Sequence, residues 1–191
     1  MTKQNKKLRS FVTIAMLSSI SFVLMLFNFP LPWFPAFLQI DFSDVPALIA
    51  VITMGPVAGI LVELVKNILD WIFSGAPTGV PVGHMANFAT GVLFILPVYY
   101  IYKKFTTSKG LMVGLIAGTV SMSLGMALLN YVAFLPMYAY FLNFHLESYE
   151  TIVKGILPFN LVKGVLLIVI ITVLFRTMKT WISKQRLQYL S

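Results

Sequence analysis

A run of 21 mostly apolar residues, from Gly155 to Phe175, contains Asn160 and Lys163 one helical turn apart. A run of this length can cross a bilayer as a helix. A lysine inside such a span costs about 2.5–3.5 kcal/mol on insertion scales, so it is rarely placed there without a partner or a ligand. The pattern restricts the chain to a membrane bundle with a polar interior.

Composition places the whole chain in the membrane class. Of its 191 residues, 59% are hydrophobic and only 10% are charged, whereas soluble domains carry roughly 25% charged residues. This length suits one compact bundle, so we treat residues 1–191 as a single membrane domain. The net charge of +8 is better explained by membrane topology than by a nucleic acid, and we expect no nucleic acid partner.

The apolar runs and the basic residues together predict an all-α integral membrane protein with six transmembrane helices. Basic clusters precede the first helix, separate the fourth and fifth, and follow the last; they hold eleven of the 14 Lys and Arg residues. The positive-inside rule places all three in the cytoplasm only if the stretch 45–73 crosses twice, turning at Gly55-Pro56. Both termini are then cytoplasmic, in a multi-pass protein of the cell membrane. The predicted helices span approximately 10–29, 44–54, 56–73, 83–102, 111–142 and 155–181.

Polar residues of the later helices fall at similar predicted depths, from mid-membrane outwards. They predict a cavity in the outer leaflet, lined by helices 3 to 6 and roofed by the loop 30–43. Four of them form a stripe at i, i+3, i+4 and i+7 on helix 3. The residues are Glu63, Lys66, Asn67, Asp70, His84, Asn87, Asn130, Asn160 and Lys163.

Several of these residues have a purely structural alternative. Glu63, Lys66 and Asp70 could form only a charge-compensated helix face. His84 could be a hydrogen-bonded residue at a helix start, and Asn130 could bond a neighbouring helix. Asn160 with Lys163 favours a functional site, because two such groups at membrane depth are hard to explain by packing.

No motif of catalysis or energy coupling is present. The sequence has no phosphate-binding P-loop, no His-Glu-x-x-His and no Gly-x-Ser-x-Gly. It has no cysteine, and its two histidines lack the spacing of paired metal ligands. We therefore expect no enzymatic activity, no catalytic residue and no metal site.

A series of short motifs resembles a known family over essentially the whole chain. After a basic N-terminus and a helix with a small-xxx-small face come Phe-Pro-Leu-Pro and four further motifs. These are Asp-Phe-Ser-Asp-Val-Pro (41–46), Met-Gly-Pro-Val-Ala-Gly (54–59), Val-Glu-Leu-Val-Lys-Asn (62–67) and Gly-His-Met-Ala-Asn-Phe (83–88). Their order and spacing resemble the substrate-binding S component of energy-coupling-factor (ECF) vitamin transporters, most closely the riboflavin-specific type.

The resemblance implies a fold, partners and site residues. Such S components bind one vitamin from outside and associate with a transmembrane coupling (T) subunit and two cytoplasmic ATPase subunits, which hydrolyse ATP. The family's Ala-x-x-x-Ala docking motif matches Ala15 and Ser19, with serine in place of the second alanine. Riboflavin would be a transported ligand and not a cofactor. The residues matching the family's flavin contacts are Asn130, Asn160 and Lys163.

The chemistry of a flavin suits these side chains. An amide donates and accepts hydrogen bonds, which matches the alternating carbonyl and N–H groups of the pyrimidine-dione edge. The ribityl hydroxyls would face polar residues near the roof, namely Gln39, Asp41, His84 or Asn87. Two alternatives stay open. One is an S component for another aromatic vitamin such as thiamine, and the other is a small membrane enzyme or assembly factor that uses the helix 3 stripe.

Overall fold

The computed structural model describes residues 3–76, 79–142 and 150–190, and in this part of the chain nearly all of the backbone is helical. Seven α-helices and two short strands follow one another. They are α1 (Lys3–Leu26), β1 (Phe29–Pro30), β2 (Gln39–Ile40), α2 (Asp44–Met54), α3 (Pro56–Ser74), α4 (Val82–Lys104), α5 (Ser108–Leu129), α6 (Leu135–Leu142) and α7 (Leu157–Leu190). Two π-helical segments, Asn130–Phe134 and Thr151–Ile156, directly precede α6 and α7.

Four helical stretches among the described residues are long and apolar enough to cross a membrane. They are Lys6–Leu26, Val82–Lys104, Ser108–Phe141 and Thr151–Tyr189. Helix α2 is apolar but has only 11 residues, about 16 Å. Helix α3 has 19 residues, but its hydropathy is lowered by Glu63, Lys66 and Asp70. Two of the six predicted crossings therefore differ from ordinary spans, one in length and the other in charge.

Both end helices extend beyond their predicted limits. Helix α1 begins at Lys3 instead of near residue 10, and α7 continues to Leu190 instead of ending near residue 181. The added residues are rich in Lys, Gln and Arg, which are good helix formers. Apolar runs mark only the membrane-compatible part of a helix, so the polar extensions were missed.

Helices α2 and α3 form a tight hairpin in the core. The chain reverses at Gly55, whose φ of 99° suits glycine, and Pro56 opens α3. A Cβ on Gly59 would lie 2.8 Å from the Cβ of Val51. This glycine therefore allows the two helices to approach closely, and the side chains of α2 are almost all buried.

The roof loop, residues 30–43, descends into the bundle and occupies the space above the short helix α2. Its ends pair as an antiparallel ribbon, with Phe29 opposite Ile40 and Pro30 opposite Gln39. Phe34 packs against Phe159 of α7, with ring centroids 5.6 Å apart. At its apex Trp33 has a φ of 72° and is 96% exposed.

The ends of α1, α4 and α7 that carry the basic clusters lie close together. The Tyr189 hydroxyl is 3.0 Å from Thr13 Oγ1. Arg186 donates to Thr106 Oγ1 at 3.3 Å, and its guanidinium lies 5.0 Å from the centre of the Tyr102 ring. We call this the basic end of the bundle, and the opposite end, with the roof loop, the cavity end.

Helices α4 and α5 form the most extensive helix pair, and glycines on α5 allow their close contact. A Cβ on Gly118 would lie 2.7 Å from the backbone carbonyl oxygen of Phe94. A Cβ on Gly125 would also meet an atom at 2.7 Å, but that atom is a terminal methyl of Leu93. Small residues at such interfaces are typical of membrane helix packing.

These two glycines provide a matched test of the packing. We expect Gly118→Ala to destabilise the protein by about 1–3 kcal/mol, because the new methyl group can be accommodated only by moving backbone. Gly125→Ala should destabilise the protein clearly less, because the Leu93 side chain can change rotamer. Thermal unfolding in detergent measures both. Equal losses for the two variants would contradict the α4–α5 arrangement.

Candidate functional site

A polar cavity of about 200 Å³ opens at the cavity end, between α1, the roof loop, α3, α4, α5, α6 and α7. All seven residues predicted to bind ligand line it. It also has apolar walls, which include Met25, Phe37, Met126 and Phe159. The polar lining consists of Asn28, Gln39, Asp41, Asp70, His84, Asn87, Thr90, Asn130, Asn160 and Lys163. Combined apolar walls and a few polar groups are typical of small-molecule sites.

Asn130 and Asn160 are held in equivalent ways beside the π-helical segments. Asn130 Nδ2 donates to the Met126 carbonyl oxygen and Asn160 Nδ2 to that of Ile156, each at 2.8 Å. Each bond runs to the residue four positions earlier, so it fixes the side chain against its own helix. One amide N–H is thereby engaged, and the remaining donor and acceptor capacity is available to a ligand. π-Helical turns often occur at functional sites.

Lys163 lies at the floor of the cavity and is paired with two carboxylates. Its Nζ is 2.9 Å from Asp44 Oδ2 and 3.5 Å from Asp41 Oδ2. Asp44 is fully buried, and its other oxygen, Oδ1, is 2.7 Å from Lys66 Nζ. One carboxylate therefore bridges a lysine of α3 and a lysine of α7.

This bridge is part of a larger buried cluster, which we call the charged cluster: Asp41, Ser43, Asp44, Glu63, Lys66 and Lys163. Lys66 Nζ also donates to Ser43 Oγ at 2.7 Å and lies 2.8 Å from Glu63 Oε2. Both the amide and the hydroxyl of Ser43 donate to Asp41. The cluster holds three acidic and two basic groups, at most 3% exposed.

The neighbouring helix α4 is shaped to accept Glu63. A Cβ on Gly91 would lie 2.2 Å from Glu63 Oε2. Only glycine therefore leaves room for this carboxyl group between α3 and α4. One of its oxygens, Oε1, has no hydrogen-bond partner among the described residues.

The rim of the cavity carries a second, separate pair. Asp70 Oδ2 is 3.0 Å from His84 Nε2, and Asp70 Oδ1 accepts from Ser74 Oγ at 3.0 Å. Between rim and floor, Asn87 Nδ2 donates to Asp41 Oδ2 at 3.3 Å. Asp70 therefore pairs across to α4, whereas Glu63 and Lys66 pair along α3 and with α2.

The two residues predicted to dock a partner lie elsewhere. Ala15 and Ser19 are on an exposed face of α1, and the Ser19 hydroxyl donates to the Ala15 carbonyl oxygen at 3.0 Å. Neither residue lines the cavity. The hydroxyl is satisfied within its own helix, so it adds little polarity to this face.

Sequence reasoning missed the role of Asp44. It offered a self-compensated helix 3 stripe as one alternative, whereas Lys66 also forms an ion pair outside α3, with Asp44 at 2.7 Å. The signal was present in the Asp-Phe-Ser-Asp motif, which places Asp41 and Asp44 three residues apart at the start of α2. It could be interpreted only once α2 was known to lie between α3 and α7.

The charged cluster predicts a large difference between buried and exposed lysines. Lys66→Met leaves Asp44 and Glu63 without their shared ammonium, so we expect a loss of about 3–5 kcal/mol in unfolding free energy. Lys154→Met is the control, because Lys154 and its partner Glu150 have side chains 75% and 52% exposed. Thermal unfolding in detergent should show a large decrease in midpoint for the first variant only. Similar unfolding midpoints for the two variants would mean that the Lys66 ammonium does not stabilise the charged cluster.

Comparison with known proteins agrees with this geometry. The family model for the substrate-specific component of ECF transporters matches residues 9–175. The riboflavin transporter FmnP of Bacillus subtilis (strain 168) is 50% identical over 184 residues, covering 94% of this chain and 97% of that protein. The riboflavin transporter RibU of Staphylococcus aureus (strain TCH60) is 43% identical, with 95% of each chain covered.

A solved structure of the S component of a bacterial ECF transporter has the same fold. It superposes with a TM-score of 0.79 at 40% sequence identity, and the match covers 92% of this chain and 98% of that one. Family model, relatives and fold all agree. The chain belongs to the substrate-specific components of ECF transporters.

Proposed function

We propose that this protein captures riboflavin in the cavity at the outer side of the membrane, as the vitamin-binding subunit of an ECF transporter. The observation that carries the proposal is that Asn130, Asn160 and Lys163 line the same cavity. The relatives named riboflavin transporters, at 43–50% identity, support the same ligand. Riboflavin is the transported ligand, and the protein is not an enzyme.

The two asparagines and the lysine suit the polar edge of the isoalloxazine ring. The amides can exchange hydrogen bonds with its carbonyl and N–H groups, and Lys163 can donate to a carbonyl or ring nitrogen. Phe159 and Met126 provide apolar surface for the tricycle. The ribityl chain would then extend towards Gln39, Asp41, Asn87 and His84. The carboxylates behind Lys163 hold its ammonium group in place before ligand arrives, which reduces the ordering cost of binding.

We propose that the bundle crosses the membrane six times as a single domain with both termini in the cytoplasm. The grouping of the three basic clusters at one end supports this, because the positive-inside rule favours such an end in the cytoplasm. The cavity end then faces outside. Helix α2 spans only the inner half, and the roof loop completes the crossing where its irregular backbone is shielded by protein.

We propose further that the protein works with a T subunit and two ATPase subunits, which supply the energy. The exposed face of α1 around Ala15 and Ser19 is the proposed docking surface. Its small side chains allow another helix to approach closely. Its distance from the cavity lets docking and vitamin binding be tested separately.

Riboflavin binding is the first test. We expect the purified protein to bind riboflavin at 1:1 and to quench its fluorescence, with no comparable affinity for thiamine. Asn160→Ala should weaken binding about tenfold or more, because it removes a buried hydrogen-bond partner. The matched control is Thr177→Ala: Thr177 also donates to the carbonyl four residues earlier, at 3.1 Å, but lies away from the cavity. Equal affinities for riboflavin and thiamine would refute the ligand assignment.

Docking is tested by enlarging the α1 face. We expect the double variant Ala15→Trp/Ser19→Trp to lose co-purification with the T and ATPase subunits while keeping riboflavin affinity. Ile20→Trp is the control, because Ile20 is also exposed but points about 120° away around the helix. The docking surface is wrong if the double variant co-purifies normally. It is also wrong if Ile20→Trp has the same effect.

A further inference from the structure

Helix α1 is joined to the end of the roof loop by a buried hydrogen bond. Ser21 is fully buried, and its hydroxyl donates to the backbone carbonyl oxygen of Ser43, which is fully buried too. Ser43 directly precedes α2. The bond therefore fixes the point where the roof loop ends and α2 begins against the first helix of the bundle.

Ser43 in turn sets the orientation of the Asp41 carboxylate. Its backbone N–H donates to Asp41 Oδ1 at 2.8 Å, and its hydroxyl donates to the same oxygen. Lys66 Nζ donates to Ser43 Oγ at 2.7 Å. The other oxygen, Asp41 Oδ2, accepts from Asn87 Nδ2 at 3.3 Å and lies 3.5 Å from Lys163 Nζ. One carboxylate oxygen is thus held by Ser43, and the other pairs with residues of the cavity lining.

Ser21 lies close to the cavity without belonging to its lining. Ser18, Ser21, Met25 and Asn28 follow one another at helical spacing on one face of α1. Met25 and Asn28 line the cavity, whereas the lining formed by the described residues does not include Ser21. The hydrogen bond to Ser43 is therefore the route by which the Ser21 hydroxyl can influence a bound ligand.

We propose that Ser21 is a positioning residue for the ligand site: its hydroxyl holds the backbone at Ser43 and thereby orients the Asp41 carboxylate. The inference rests on the proposed function, in which Asp41 faces the ribityl chain of riboflavin. A carboxylate that is fixed before the ligand arrives loses less freedom on binding. Without the Ser21 hydroxyl, the Ser43 carbonyl loses a buried donor, and the Asp41 side chain is held less firmly.

The test removes the Ser21 hydroxyl and leaves every residue of the cavity lining in place. We expect Ser21→Ala to weaken riboflavin binding about tenfold, because a buried hydrogen bond no longer orders the site. Fluorescence-quenching titrations of the purified full chain measure the affinity, and the binding stoichiometry should equal that of the wild type. Loss of folded protein would instead reduce the number of binding sites and leave the affinity of the remaining ones unchanged.

Two further variants separate the hydrogen bond from packing. Ser18→Ala is the matched control, because Ser18 lies one turn earlier on α1 and is 1% exposed, but its hydroxyl has no hydrogen-bond partner among the described residues. This variant should keep the wild-type affinity. Ser21→Cys fills nearly the same space as serine, but a thiol is a weak donor, so it should weaken binding as Ser21→Ala does.

A double-mutant cycle tests whether Ser21 acts through Asp41. In an Asp41→Ala background, Ser21→Ala should change riboflavin affinity by at most about twofold, because no carboxylate is left to orient. Asp41→Ser takes its place if the alanine variant does not fold, since serine also removes the carboxylate. In an Asn160→Ala background the effect of about tenfold should persist, because the Asn160 side chain is held by the Ile156 carbonyl oxygen.

Several outcomes overturn the inference. One is wild-type affinity in Ser21→Ala, or in Ser21→Cys, which would mean that Ser21 only fills space. Another is an equal loss of affinity in Ser18→Ala, and a third is an undiminished loss in the Asp41→Ala background. In each of these cases the wild type still binds riboflavin, and the proposed function stands. Failure of the wild type to bind riboflavin would refute the proposed function and this inference together.

Discussion

The two ion pairs of Asp44 are the contacts on which the rest of the molecule depends. Asp44 begins α2, and its carboxylate bridges Lys66 of α3 and Lys163 of α7, at 2.7 Å and 2.9 Å. Buried ion pairs recover their desolvation cost only when each charge is well partnered. The cluster therefore orders three helices at once, because moving any one of them would separate the Asp44 carboxylate from a lysine ammonium. The cluster also fixes the floor of the cavity, because Lys163 belongs to both.

The short helix α2 explains why the charged cluster and the cavity are neighbours. Because α2 has only 11 residues, the roof loop must descend to meet it, and it brings Asp41 and Ser43 to the depth of Lys163. Irregular backbone at this depth is tolerated where protein or a polar cavity surrounds it. The same shortening thus creates space for a ligand and supplies polar groups to line that space.

Much of the site could be inferred from sequence, and what was missed has physical reasons. Asn160 and Lys163 were identifiable because polar groups inside an apolar run are costly. The pairing of Lys163 with Asp44 was not, since it depends on contact between helices far apart in the chain. The π-helical segments beside Asn130 and Asn160 were missed as well, because one extra residue per turn leaves no mark on an apolar run. The polar ends of α1 and α7 were missed for a different reason, because an apolar run marks only the membrane-compatible part of a helix.

The distribution of tryptophan gives the molecule an internal optical reporter. Trp33 lies at the apex of the roof loop, and Trp71 directly follows Asp70 at the rim, so two of the three indoles are at the cavity end. Trp181 lies 18 residues beyond Lys163 on α7, about 27 Å along the helix. Tryptophan emission overlaps flavin absorption, and energy transfer decreases steeply with distance. A flavin in the cavity would therefore quench the two indoles at the cavity end more strongly than Trp181.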